Sequence, residues 1–432
     1  MRYFAPILLL IPFLLLVGCL PKVEPEPGFE GLFAVTVPAD YPIGMESGRV
    51  QWIMALNPKT EELLGAQELI SGERAFIAAP AGYDAEVFDL VWVYGYMNGS
   101  GYAYNTQVYL YRDFPRSERT LASPGSGGGG AAPFPLPPAY LEGLNDAEGA
   151  NQNYWLSSDL GTIQGTPTGS SGMEFGGGSN GSYNGTYLLI REGHEEPTWD
   201  YQVAAGITGQ DTLVFQNDDW EPATLRRVLI EDEPPSWSLT SYGQPNPGSS
   251  FWLGEITSNL NLPRVEFPTI PQIFREHNIR FTGDWSYEDR DQQYMYQSRG
   301  HVPSMIPRFD VTTSLGLPSF LGFTATPFTG VEMDYARWFF YFTDDLTGDQ
   351  LYYIQYADPN AEMHNTEIDW PGEMQQQMPM LGREATWYPN QYSALVYNYE
   401  LVFGYADMMR YFAFPELRQE YGFLQSMHIG WY

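Results

Sequence analysis

Apolar and polar side chains alternate with a period of two along much of this chain. Arg49 to Leu56 alternates, with Val50 and Trp52 against Gln51, and stops at Asn57-Pro58-Lys59-Thr60. Residues two apart lie on one face of a strand, so this stretch reads as a strand with one buried face, closed by a turn. Segments 33–37, 63–69, 74–78, 87–94 and 107–111 read the same way, and Asn98-Gly99-Ser100-Gly101 marks another turn. Strands are also predicted at 187–190, 212–216 and 225–230. The clearest hairpin joins 337–342 to 351–356 through Asp345-Leu346-Thr347-Gly348-Asp349; both arms are mostly aromatic or β-branched, the composition strands favour. One helix is predicted over 415–425, where Pro415 opens the segment and Leu417, Tyr421 and Leu424 fall at i, i+4 and i+7.

Short strands at a spacing of about 8–15 residues, with Gly, Pro and Asn turns between them, predict a mainly β chain. The expected architecture is an N-terminal immunoglobulin-like or transthyretin-like antiparallel sandwich over 31–115. A larger β-rich domain with few helices is expected over 139–432. No cysteine pair accompanies the first unit, so the likeness is one of architecture alone. Segment 116–138 breaks the composition, with Gly127-Gly128-Gly129-Gly130 followed by Pro133, Pro135, Pro137 and Pro138. Glycine loosens its first half and proline stiffens its second, so it reads as a linker or a long exposed loop. A second Gly-rich run, 169–185, lacks phosphate-loop spacing and reads as a mobile surface loop.

Charge narrows the function classes. Of 432 residues, 21 are Lys or Arg and 53 are Asp or Glu, a formal net charge of −32. A nucleic-acid binder needs a basic face, so that class is excluded as a partner. One cysteine rules out an internal disulfide framework and a Cys-rich zinc site. Lys22 and Lys59 are the only lysines. Acid in place of lysine keeps a surface hydrated where salt screens charge, so a salt-tolerant source is one reading and an ordinary acidic secreted protein the other.

The N-terminus carries an address. Arg2 precedes an apolar run from Ile7 to Val17 broken only by Pro12, and the run ends Leu16-Val17-Gly18-Cys19. The run is shorter than the roughly 20 residues a spanning helix needs and suits a signal-peptide core. The segment resembles the leader and lipobox of bacterial lipoproteins, and the chain's only cysteine sits where that pattern requires it. The resemblance covers residues 1–18 as leader and Cys19 as the new N-terminus. It implies acylation of Cys19, with diacylglycerol on the thiol and a fatty acid such as palmitate on the amine. It also implies a Pro-rich tether over 19–30. Leu20 follows the cysteine, so the inner-membrane retention signal is absent and the outer membrane is the expected location, facing the periplasm or the surface.

Candidate chemistry is sparse. His194, His277, His301, His364 and His428 show no H-x-x-x-H or H-x-H pairing, so no metal site is expected from them. No cofactor is expected, with structural calcium at Asn217-Asp218-Asp219, Asp289/Asp291 or Asp344/Asp345/Asp349 as an open alternative. The densest ligand-binding candidate is Asp284, Trp285, Tyr287, Asp289, Asp291 and Tyr294. Aromatic faces stack on sugars and carboxylates bond their hydroxyls, so a glycan is the first ligand class. A solvated acidic turn beside core aromatics is the plainer reading. On a strand, Trp285 and Tyr287 share one face while Asp284 and Ser286 share the other. The expected role is therefore non-catalytic: binding an extracellular ligand or scaffolding an envelope protein complex. A glycoside hydrolase using paired Asp/Glu and a structural or adhesion protein are the alternatives.

Overall fold

The computed structural model describes residues 31–43, 48–97, 104–121, 139–144, 152–158, 161–167, 172–175, 185–193, 198–207, 212–245, 250–258, 265–287, 290–300, 302–316, 324–330, 332–344, 347–364, 368–378, 381, 387–399, 404–413 and 423–431. Residues 1–30, with Cys19 and the tether, lie outside them. Strands dominate. Among the described residues the α-helices are Gly372–Gln377 and Tyr405–Ala413, so the chain is mainly β with few helices. None of these helices is long and apolar enough to cross a membrane.

One sheet of twelve strands organises the molecule. From edge to edge its order is Phe251–Thr257, Ser236–Gln244, Glu276–Ser286, Arg290–Ser298, Phe423–Trp431, Trp387–Tyr399, Tyr335–Asp344, Gln350–Ala357, Tyr104–Pro115, Val87–Met97, Arg49–Leu56 and Leu63–Glu68. Every neighbouring pair is antiparallel except one. Gln350–Ala357 runs parallel to Tyr104–Pro115, with Tyr352 opposite Gln107. The early strands of segment 31–115 therefore share a sheet with strands from the far end of the chain.

The alternation seen in the sequence decides the two faces. Inner-facing Met54, Val91, Leu110, Phe340, Val396 and Ile429 belong to one core that draws on strands across the sheet. Open twisted sheets of more than about ten strands curl or split, and a single core spanning this one fits a curled sheet. Phe309 and Phe328, from before the strand Tyr335–Asp344, and Met363 and Met374, from after the strand Gln350–Ala357, join that core. The helix Gly372–Gln377 that carries Met374 is tied to the sheet edge: Trp52 Nε1 donates to Gln377 Oε1 at 2.7 Å, and Gln377 Nε2 donates to Glu68 Oε2 at 3.0 Å.

On the outer face, Ile53, Leu90, Trp92 and Ile354 pack under a three-stranded sheet of order Arg74–Ala78, Gly31–Thr36, Ser117–Thr120, and under helix Tyr405–Ala413. Phe33 meets the rings of Phe88, Trp92 and Phe114 at 6.3, 6.2 and 5.8 Å. Beneath lies a buried ion pair. Arg112 donates to Asp89 Oδ2 at 2.7 Å and the Asp113 amide donates to Asp89 Oδ1 at 2.9 Å, beside a β-bulge between Phe88 and Leu90. The Tyr405 hydroxyl lies 2.7 Å from the Arg112 carbonyl and 3.0 Å from that of Tyr356. It thereby pins the helix over the junction of the parallel pair. Residues 139–222 add a five-stranded and a four-stranded sheet around a separate core of Leu141, Leu156, Phe175, Leu189 and Phe215.

Three expectations change. Residues 423–425 of the expected helix open the strand Phe423–Trp431, because Met427, Ile429 and Trp431 alternate into the core; 414–422 lie outside the described residues. Ser117–Thr120, expected inside the linker, pairs in parallel with Gly31–Thr36. Gly172–Phe175, expected inside a loop, pairs with Ala139–Glu142 because Met173 and Phe175 alternate into the smaller core.

Asp89→Ala would leave Arg112 with Glu61, 3.2 Å away, as its remaining carboxylate and the Asp113 amide without its acceptor. The expected loss is about 1.5–3 kcal/mol, read as a fall in the urea midpoint, against at most about 0.5 kcal/mol for the exposed Asp284→Ala. A neutral Asp89→Ala would show that the pair does not hold the junction.

Candidate functional site

The hairpin Glu276–Ser286 with Arg290–Ser298 carries the cluster singled out from sequence. Asp284 lies opposite Gln293, and Asp291 opposite Ser286. Period two sends Asp284, Asp291 and Gln293 to the outer face and Trp285 and Tyr294 to the inner one. Both acids are exposed, and Asp284 accepts from Gln293 Nε2 at 2.9 Å. Tyr294 is only 2% exposed; its hydroxyl donates to the Pro307 carbonyl at 3.0 Å and accepts from Gln425 Nε2 at 3.2 Å. Trp285 packs half-buried against the main core. Tyr287 lies beyond the strand end, exposed, with the Arg290 guanidinium 5.0 Å from its ring centre. Asp289 lies outside the described residues. The pleat thus divides the rings from the acids.

A different array of rings forms on the outer face, at the centre of the sheet. Tyr111 stacks on Tyr356 at 4.6 Å and 7°, and Tyr335 on Tyr397 at 4.4 Å and 12°. Phe412 of the covering helix meets Tyr111, Tyr356 and Tyr335 at 5.8, 5.3 and 5.8 Å and seals this row. Farther along the same strands Tyr341 stacks on Tyr352 at 4.7 Å and 19°, with Phe339 5.9 Å from Tyr352. These stacking distances match the strand spacing of about 4.8 Å. Cross-strand rings therefore stand on edge, and they turn rims and hydroxyls outward rather than flat faces. The Tyr109 hydroxyl donates to Gln107 Oε1 at 2.9 Å and that of Tyr352 to Gln350 Oε1 at 3.2 Å. Gln107, Tyr109, Gln350, Tyr352, Phe339 and Tyr341 are all half-buried. Each phenol keeps an acceptor lone pair and each amide its donor hydrogens. The result is a strip of aromatic rims and alternating donors and acceptors.

Arg337 stands where the sealed row meets the open strip. It is half-buried, one outward step from Tyr335 on one side and from Phe339 on the other. Tyr356 faces it from one neighbouring strand and Leu395 from the other. His428 follows, opposite Leu395 and opposite Gln293 on its far side. Burial opposes the Arg337 charge, but the phenols of Tyr397 and Tyr356, the latter accepting its hydrogen bond, hold its pKa above the ordinary value. Burial, then the Arg337 charge, pushes His428 down.

The remaining histidines separate into structural roles. His277 Nε2 accepts from the Ile270 amide at 2.9 Å, and burial followed by the Arg226 charge pushes its pKa down to about 4. His364, exposed, lies 3.1 Å from Glu61 Oε1. His194 and His301 lie outside the described residues. Among the described residues no three His, Cys, Asp or Glu side chains gather as a metal site. Asp344 and Asp349 close the predicted hairpin: the Asp344 amide donates to the Asp349 carbonyl at 2.9 Å, and Asp344 Oδ2 accepts from the Thr347 hydroxyl at 3.0 Å. A cavity of about 470 Å³ opens between Trp199–Ile207 and Leu213–Gln216, with Asp219 and Glu221 in its wall.

The hairpin that carries Arg337 and Tyr341 is legible in the sequence, and the site is not. The signal was present in its alternation, with Arg337, Phe339 and Tyr341 against Trp338, Phe340 and Phe342. The tyrosines that complete the array come from strands far away in sequence.

No protein-family model matches the chain, and no curated protein does. Among solved structures it is similar to the N-terminal four Ig domains of Dscam1 isoform 9.44, with zinc, at a TM-score of 0.16 and 8% identity over 93% of this chain and 96% of that one. A likeness of that size assigns no fold.

Trp285→Ala should cost about 2–3 kcal/mol, below the 3–5 of a fully buried ring, and Tyr287→Ala at most about 0.5 kcal/mol. Unfolding midpoints in urea check both. Equal losses would mean that the two rings do not differ in packing.

Proposed function

We propose that this protein is a membrane-tethered, non-catalytic binding protein of the cell envelope whose ligand is a glycan. The observation that carries the ligand class is the strip of Gln107, Tyr109, Gln350, Tyr352 and Tyr341, with its edge-on rings and paired hydroxyl and amide groups. A sugar presents hydroxyls that both donate and accept, and C–H surfaces that pack on aromatic rims. This strip offers the complement of each. The tether rests on Leu16-Val17-Gly18-Cys19 and the outer-membrane location on Leu20. Acyl chains contribute about 0.8 kcal/mol per buried methylene, so two or more give a stable anchor. Residues 31–115 read as an immunoglobulin-like or transthyretin-like sandwich, whose strand Tyr104–Pro115 also supplies Gln107 and Tyr109 to the strip. What supports this is the three-stranded sheet packed over Arg49–Leu56, Val87–Met97 and Tyr104–Pro115.

Two experiments test the reading. Cys19→Ala should move the chain from the membrane to the soluble fraction; tight retention would refute the anchor. The released chain is then titrated with a panel of polysaccharides, following tryptophan fluorescence and reducing ends together. Binding without release is expected, with Tyr341→Ala and Tyr352→Ala each losing about tenfold in affinity, the worth of roughly one hydrogen bond with its ring contact. Release of reducing ends would make the protein a hydrolase, and unchanged affinity in both variants would remove the strip from the site.

A further inference from the structure

We infer that Arg337 makes this face a receptor for an anionic group, so that the ligand is an acidic glycan, bearing carboxylate or sulfate, rather than a neutral one. The inference rests on the glycan reading for the identity of the ligand and on the geometry of Arg337 for its charge. With 53 acidic residues against 21 basic ones, an arginine in this chain has abundant partners to choose from. Arg74, Arg112, Arg191, Arg227, Arg308 and Arg410 each pair with a carboxylate. Of the others, Arg49, Arg226, Arg275 and Arg280 are exposed, Arg116 donates to the carbonyls of Ala85 and Tyr83, and Arg119 lies over the Trp92 ring, whereas Arg337 is half-buried against phenols with no carboxylate partner among the described residues. Its neighbours are phenols and an imidazole: Tyr356 opposite, Tyr335 beside it, Tyr397 across the next strand, and His428 beyond Leu395. A half-buried guanidinium keeps donors that neutral phenols satisfy only in part, and its planar fork matches a carboxylate or sulfate.

The acidic surface does not cancel this attraction. Exposed charges are screened beyond a Debye length of about 8 Å at physiological salt, whereas a partly buried one is screened much less. Asp334, three residues before Arg337, is taken up by the amides of Tyr399 and Gly404, and Asp407 of the covering helix pairs with Arg410. Across the sheet toward His428 the outer-face acids are Asp291, diagonal to His428, and Asp284 one strand farther away. Asp291 and Asp284 lie on the side of His428 away from Arg337, and the groups that face Arg337 itself are the phenols of Tyr397, Tyr356 and Tyr335. The strip of Tyr109, Tyr352 and Phe339 continues from that point, so a chain held there by its charge would lay its hydroxyls along it.

The test uses the full chain in detergent micelles, with 13C at histidine Cε1 and His428 assigned by its loss in His428→Gln. Sodium D-glucuronate, sodium sulfate and glucose are added in turn across a pH titration. D-glucuronate and sulfate should raise the pKa of His428, glucose should not, and Arg337→Gln should abolish the rise while Arg337→Lys keeps part of it. No rise with either anion, or the same rise in Arg337→Gln, overturns the inference. A parallel titration compares polygalacturonate and a sulfated galactan with neutral dextran. At least about tenfold preference for the acidic polymers is expected, the worth of one charge-assisted hydrogen bond. Equal binding of neutral and acidic polymers overturns the anionic selectivity and leaves the glycan reading intact. A His428 response to small anions with no polymer bound keeps the anion site and overturns the glycan reading.

Discussion

The parallel pairing of Gln350–Ala357 with Tyr104–Pro115 is the contact on which the rest of the sheet depends. Each side of it is a run of antiparallel neighbours, and this one seam joins them. A parallel pair cannot be made by a tight turn, and here its strands come from distant parts of the chain. The entropy of closing so long a loop is offset only when many contacts form together. Three features surround the seam: the Arg112–Asp89 pair, the Tyr405 hydroxyl bridging carbonyls on both strands, and the stack of Tyr111 on Tyr356. Packing, hydrogen bonding and charge converge at the same seam.

The seam also places the candidate site. It sets Tyr352 beside Gln107 and Tyr356 beside Tyr111, so the tyrosine layer continues from one half of the sheet to the other. The helix carrying Phe412 covers the lower row of that layer. The upper row, with Tyr341 and Tyr352, stays half-buried. Arg337 lies between the two, and its neighbours explain why a charge is tolerated there: phenols offset part of the desolvation that an apolar sheet face would impose.

The sequence made much of the local structure legible. The hairpin read at 337–342 and 351–356 is present with Tyr341 opposite Tyr352, and the strands read over 49–56, 63–69 and 74–78 stand within a residue of the expected bounds. The strand alternation of Asp284, Trp285 and Ser286 also holds. Only the last three residues of the helix expected over 415–425 lie among the described ones, and they open a strand because Met427 to Trp431 fit a strand spacing. The helix Tyr405–Ala413 was missed, although Tyr405, Met408, Met409 and Ala413 fall on one buried face.

What the sequence by itself determined is the face each side chain takes within its own strand, since period two is a property of the local backbone. It also determined the acidity of the chain and the lone cysteine after an apolar leader. Tertiary structure alone decided which strands lie side by side. That choice put Trp285 and Tyr294 into a core, Asp284 and Asp291 onto a hairpin surface, and Arg337 among tyrosines instead of carboxylates. No local pattern encodes a neighbour supplied by a strand hundreds of residues away, and a site made of cross-strand neighbours exists only once the sheet has closed its register.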